Sequence, residues 1–171
     1  AGVPVGQYHA TVADQYVPYI MPQEHGNKTD IRWIALRNAQ GKGLLISSKP
    51  LMQASVSHYR TEDMYQALHT HELIVRDEVI VNLDIAQSGL GGASCGPGTL
   101  EKYLVQPGEF HFRLLFHPFG PGASLSSLGA RGFLWINRAF TESLNQSTQP
   151  IYVGCFGVVA RGGLEPPTKG L

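Results

Sequence analysis

The sequence is poor in the features that announce several common protein classes. It holds only two cysteines, Cys95 and Cys155, too few for a disulfide framework or a four-thiolate zinc site. No run of about eighteen apolar residues exists to span a bilayer as a helix. Basic residues are not in excess, since thirteen Lys and Arg face thirteen Asp and Glu. Such a balance offers no field to a phosphate backbone and argues against a nucleic-acid partner. The opening residues lack a basic segment followed by an apolar one, so no secretory signal is read there. Together these absences lead to the expectation of a reduced, cytoplasmic globular chain with no membrane and no nucleic acid among its partners.

What is present favours sheet and turns. Twenty glycines and eleven prolines fall among 171 residues of which 15% are charged, a composition suited to short strands and tight connections. Ile31 to Arg37 alternates apolar and polar side chains, residues 38–43 supply turn chemistry, and Leu44 to Ser48 follows, which reads as a β-hairpin. Residues 53–59, 78–84 and 109–116 share the two-residue period. One short helix is expected over 61–68, with Thr61 as its N-cap and acidic residues in its first turn. Strands spaced in this way predict an all-β chain built as an antiparallel β-sandwich. The composition changes near residue 120: all seven histidines, nine basic and eleven acidic residues lie in 1–119, against four basic and two acidic in 120–171. The chain is therefore divided into a 1–119 domain and a 120–171 tail.

Several residue groups could carry chemistry. His69 and His71, with Glu72 beside them and His58 upstream, have donor types that suit zinc. On a strand, however, residues two apart share a face, and both rings would then simply face solvent. His111 and His117 add no recognised ligand spacing. Glu24, Asp30, Asp84 and Glu101 stand near turn or strand ends and are the carboxylates available for glycosidic acid/base work, which needs two of them at a set separation across a sugar. A nucleophile elbow G-x-S-x-G is absent. The richest loop, Gly89, Leu90, Gly91, Gly92, Ala93, Ser94, Cys95, Gly96, Pro97 and Gly98, lacks the Gly-Lys-Ser/Thr ending of a phosphate loop. Cys95 has no cation near it in sequence to activate the thiol. Glycine would let this loop approach a ligand closely, or the loop is a plain crossover.

The segment Tyr16-Val17-Pro18-Tyr19-Ile20-Met21-Pro22-Gln23-Glu24-His25-Gly26 through Trp33 resembles the opening signature of the C-terminal, small-chain β-sandwich domain of the family-two β-galactosidases. Ser57-His58-Tyr59, Thr61-Glu62-Asp63, His69-Thr70-His71-Glu72-Leu73, Asn82-Leu83-Asp84, Gly89 to Pro97 and Phe110-His111-Phe112-Arg113-Leu114 resemble its successive segments in order, over residues 1–119. The resemblance implies part of a galactose-mutarotase-like super-sandwich and a role in hydrolysing β-galactosides such as lactose. It also implies that the two catalytic glutamates belong to a TIM barrel not represented here. No catalytic residue is then expected in this chain, and the Mg and Na ions of such enzymes belong mainly to the barrel part.

In some members the Gly-rich loop carries a tryptophan as a substrate platform. Cys95 stands at that position, so aromatic stacking is not carried over, and the loop is expected to shape the pocket rim. The tail departs from the family, and 160–169 resembles peptides from spurious reading frames across transfer-RNA genes. The expected partners are a β-galactoside or galactose and the catalytic barrel subunit, with self-association through open sheet edges as another outcome. A free-standing sugar-binding or assembly module, or a small stand-alone glycosidase using Glu24, Asp30 or Asp84, are the alternative functions.

Overall fold

The computed structural model describes residues 4–89, 95–132 and 134–135. Its elements are β1 (Lys28–Arg37), β2 (Gly43–Ser57), α1 (Thr61–Gln66), β3 (Ile80–Asp84) and β4 (Arg113–Phe119). Single 3₁₀ turns lie at Ala13–Gln15, Thr70–Glu72 and Glu101–Tyr103. The strands form one four-stranded sheet in the order β1-β2-β3, with β4 also paired to β2. Among the described residues the regular structure is mostly strand, as expected of an all-β chain, and the β2–β4 pair is antiparallel. The described residues fall into two compact units, one drawn from 1–29 and 53–83 and the other from 30–52 and 84–171; the composition boundary at 119/120 falls inside the second.

In the second unit, the β1–β2 hairpin turns on Asn38. Its Oδ1 accepts from the backbone N–H groups of Gln40 and Lys42, at 3.1 and 3.0 Å, the local bonding that favours Asn in turns. β2 leaves the turn at Gly43, where any side chain is excluded: a Cβ would stand 1.9 Å from the Leu36 carbonyl oxygen and 2.6 Å from Phe119. From Gly43↔Phe119 to Lys49↔Arg113, β2 and β4 run in continuous register. Leu45, Ile46, Ser47 and Ser48 are all buried. Successive strand residues point to opposite faces, so both faces of this stretch are covered. A helical stretch over 125–132 lies on the Ser47 face. Gly132 comes so near that its Cβ would be 2.8 Å from Ser47 Oγ and 3.5 Å from Leu115. Ser47 and Leu115 are register partners and so share that face.

In the first unit, β3 pairs with β2, and Asn82 Nδ2 donates to Ser55 Oγ at 3.0 Å. Ala54, Met64 and Ala67 are buried. Met64 on α1 and Ala67 just beyond it lie three apart, on one side of a helical turn.

Three local readings change. The run 44–48 and residues 53–57 of the run 53–59 are parts of one strand, β2, which passes straight through Pro50; its ring is exposed, a position where a missing donor is tolerated. The last strand is shifted from 109–116 to Arg113–Phe119. The N-cap of α1 is Arg60, not Thr61, because the Asp63 carboxylate accepts from the Arg60 N–H at 3.4 Å while the Thr61 hydroxyl turns away to Glu24.

Candidate functional site

The Gly-rich loop is anchored at its base. Gly89 N–H donates to the Tyr103 carbonyl at 2.6 Å, Thr99 Oγ1 donates to the Gly89 carbonyl at 3.2 Å, and Val105 N–H donates to Ser88 Oγ at 3.0 Å. A Cβ on Gly89 would sit 2.9 Å from that of Tyr103, so glycine is what lets the two backbones meet. Leu90, Gly91, Gly92, Ala93 and Ser94 lie outside the described residues; Cys95 and Gly96 are exposed. Beside the loop base is an open groove of about 570 Å³ lined by Ala86, Gln87, Tyr103, Leu104 and Phe110 among others. Tyr103, Leu104 and Phe110 are large apolar side chains left exposed, with the Lys102 ammonium 4.7 Å above the Tyr103 ring.

The carboxylates singled out from sequence occupy separate settings. Glu24 Oε1 accepts from Thr61 Oγ1 at 2.7 Å. Asp84, at the end of β3, accepts from Gln87 Nε2 at 2.7 Å. Asp30 holds a left-handed backbone, φ 58°, a conformation that Asp adopts more readily than most residues. Glu101 opens the 3₁₀ turn Glu101–Tyr103.

His69 and His71 are not on a strand. His69 caps the 3₁₀ turn Thr70–Glu72, and the turn brings both rings and a carboxylate together. The imidazoles stack with centroids 5.4 Å apart and planes at 21°. His69 Nδ1 is 3.0 Å from Glu72 Oε1, and Glu72 Oε2 accepts from Leu68 N–H at 2.8 Å. These two hydrogen bonds, His69 foremost, hold the Glu72 carboxyl below its ordinary value. Their donor atoms lie within 4.8 Å of one another and all three residues are exposed. Two imidazoles and one carboxylate do not suit Mg²⁺ or Na⁺, hard cations that prefer oxygen.

Sequence reading missed the network around α1. Arg76 grips Asp63 with two bonds, Nε to Oδ2 at 2.9 Å and Nη2 to Oδ1 at 2.6 Å. The Arg76 bond is the main reason the Asp63 carboxyl lies below its ordinary value. Arg60 Nη2 pairs with Glu78 Oε1. His58 Nδ1 faces the carbonyls of Arg76 and Glu78 at 3.1 and 3.3 Å, so it ties this loop. The separation of thirteen positions between Asp63 and Arg76 leaves no periodic signal.

A second missed group surrounds His25. Its ring lies 5.4 Å from Tyr16, edge-on, and 5.9 Å from Tyr19, and Tyr16 is 5.1 Å from Tyr59. Nδ1 of His25 is buried without a partner among the described residues. Burial, with nearby Lys28 adding to it, lowers the His25 pKa. Burial likewise raises that of Tyr59. The aromatic spacing Tyr16-x-x-Tyr19 was the signal available.

The family described as "Beta galactosidase small chain" matches residues 1–116. The chain is 35% identical over 91 residues to a protein named beta-galactosidase from Priestia megaterium (strain DSM 319 / IMG 1521), covering 53% of this chain and 9% of that one. It is 31% identical over 110 residues to the beta-galactosidase of Pseudoalteromonas haloplanktis, 64% of this chain and 10% of the relative. It is 28% identical over 109 residues to that of Actinobacillus pleuropneumoniae, again 64% and 10%. The chain thus spans about a tenth of the length of these relatives.

Proposed function

The chain belongs to the β-galactosidase small-chain family, and from that premise we propose that it is the small-chain part of an enzyme hydrolysing terminal β-galactosides such as lactose. The observation that carries this reading is the match over 1–116 to a segment about a tenth the length of the relatives. In that role the chain contributes assembly and shape, while bond cleavage resides in the remainder of the enzyme. On this reading the two catalytic glutamates sit in a barrel outside the chain, together with the family's Mg and Na ions, and the assembled enzyme works in the cytoplasm. Glu24 and Asp84 serve local structure through Thr61 and Gln87, at 2.7 Å each.

The Gly-rich loop, Gly89 to Gly96, is then the segment that faces the sugar. Its pinned base gives it a fixed root, and its composition keeps side-chain bulk low where a ligand would approach. The exposed apolar side chains Tyr103, Leu104 and Phe110 beside that root supply a surface for the catalytic part to cover, since contiguous exposed apolar area marks interaction sites. The sandwich, as part of a mutarotase-like super-sandwich, would be completed in the whole enzyme.

The test uses purified chain with a chromogenic β-galactoside. The reading expects no turnover from the chain alone; turnover that disappears on Glu24→Gln, Asp30→Asn or Asp84→Asn in folded protein would overturn it.

A further inference from the structure

We propose that His69, His71 and Glu72 form a surface site for a divalent transition-metal ion, with Zn²⁺ the cation they suit best. The inference does not depend on the galactosidase reading. Two imidazoles and a carboxylate are the donor set of three-ligand zinc sites, where water completes the tetrahedron. The geometry is largely preset. The 3.0 Å between His69 Nδ1 and Glu72 Oε1 approaches the separation of about 3.4 Å that two ligands of one tetrahedral zinc adopt at their usual bond lengths. When both turn to one ion, two metal bonds replace the hydrogen bond between them, and the Nδ1 proton passes to Nε2 of a neutral ring or to solvent from an imidazolium.

The Leu68 N–H fixes the other oxygen of Glu72 at 2.8 Å, so the carboxylate is held in place by backbone. The stacked His71 ring keeps its donor within 4.8 Å of the others, and, being exposed, it closes the remaining gap by a side-chain rotation. A pair of exposed groups elsewhere, His111 Nε2 and Glu109 at 3.0 Å, supplies only two donors and serves as the internal control.

The experiment is a calorimetric titration of the full chain with zinc chloride. One saturable site is expected, with Kd on the order of 10 μM. His69→Ala and His71→Ala should each weaken it by about tenfold or more, His111→Ala should leave it unchanged, and excess magnesium chloride should not displace the zinc. Histidine modification mapped by mass spectrometry on the unaltered chain gives a readout that needs no variant: zinc should protect His69 and His71 and leave His111 reactive. Absence of saturable binding up to about 1 mM zinc, wild-type affinity in both histidine variants, or equal protection of all three histidines would overturn the proposal.

Discussion

Gly129 packs against the indole of Trp33 so closely that a Cβ on the glycine would stand 2.3 Å from Nε1 and 2.4 Å from Cδ1. With Gly132 over Ser47 and Leu115, two glycines three apart let the 125–132 helical stretch lie on the sheet at backbone distance. Part of the segment beyond residue 119 is thereby built into the second unit's packing.

Gly129→Ala should accordingly destabilise the chain. Alanine gains up to about 1 kcal/mol of helix propensity, but overpacking against an aromatic ring costs more, and a net loss of roughly 1–2 kcal/mol is expected. Urea unfolding followed by circular dichroism checks this; unchanged or increased stability would show that the helix does not rest on Trp33.

Asp30 provides a backbone test. Its left-handed φ of 58° is penalised most in β-branched residues, so Asp30→Val should cost about 1–2 kcal/mol while Asp30→Gly should not. The comparison of the two thermal midpoints decides; equal loss in both would mean that the carboxylate, not the backbone, is what the site requires.

Stability should fall in acid in two separable windows. Asp63 has its folded pKa depressed by the Arg76 bond, so its contribution is present above the ordinary carboxylate value of 3.8 and is lost as pH drops through the lower folded value. His25 is depressed by burial, so the unfolded chain takes up the proton first and stability declines as pH falls below 6.5. Thermal melts from pH 7 to 3 should show His25→Gln flattening only the upper window and Asp63→Asn shrinking only the lower one, which Asp14, Glu72 and Glu78 share. A profile unaltered by either substitution would remove both groups from the account.

The β1–β2 hairpin was legible because an apolar, β-prone run from Ile31 is followed by turn residues at 38–43 and a second such run, and β1 and β2 occupy those runs. Leu44 to Ser48 was read as strand although Leu45, Ile46, Ser47 and Ser48 are buried on both faces; what the pattern hid is that β2 continues through Pro50 to Ser57 and joins the run read separately from residue 53. The ordered motifs from Tyr16 to Leu114 carried the family, and the match over 1–116 bears that out. The site details were hidden for a different reason. The pairing of Asp63 with Arg76, and the stacking of His69 on His71 at a 3₁₀ turn, depend on loop geometry that leaves no periodic trace. Reading His69 and His71 as strand residues put them side by side facing solvent; both are exposed, but on a 3₁₀ turn that also brings Glu72 back to His69.

The most direct test of the central claim is a chimera in which residues 1–116 replace the matching segment of the Priestia megaterium beta-galactosidase, assayed on a chromogenic β-galactoside beside the same enzyme with that segment deleted. The account predicts that the chimera hydrolyses the substrate and the deletion does not. A folded chimera as inactive as the deletion, while the unaltered enzyme works under the same conditions, would contradict it.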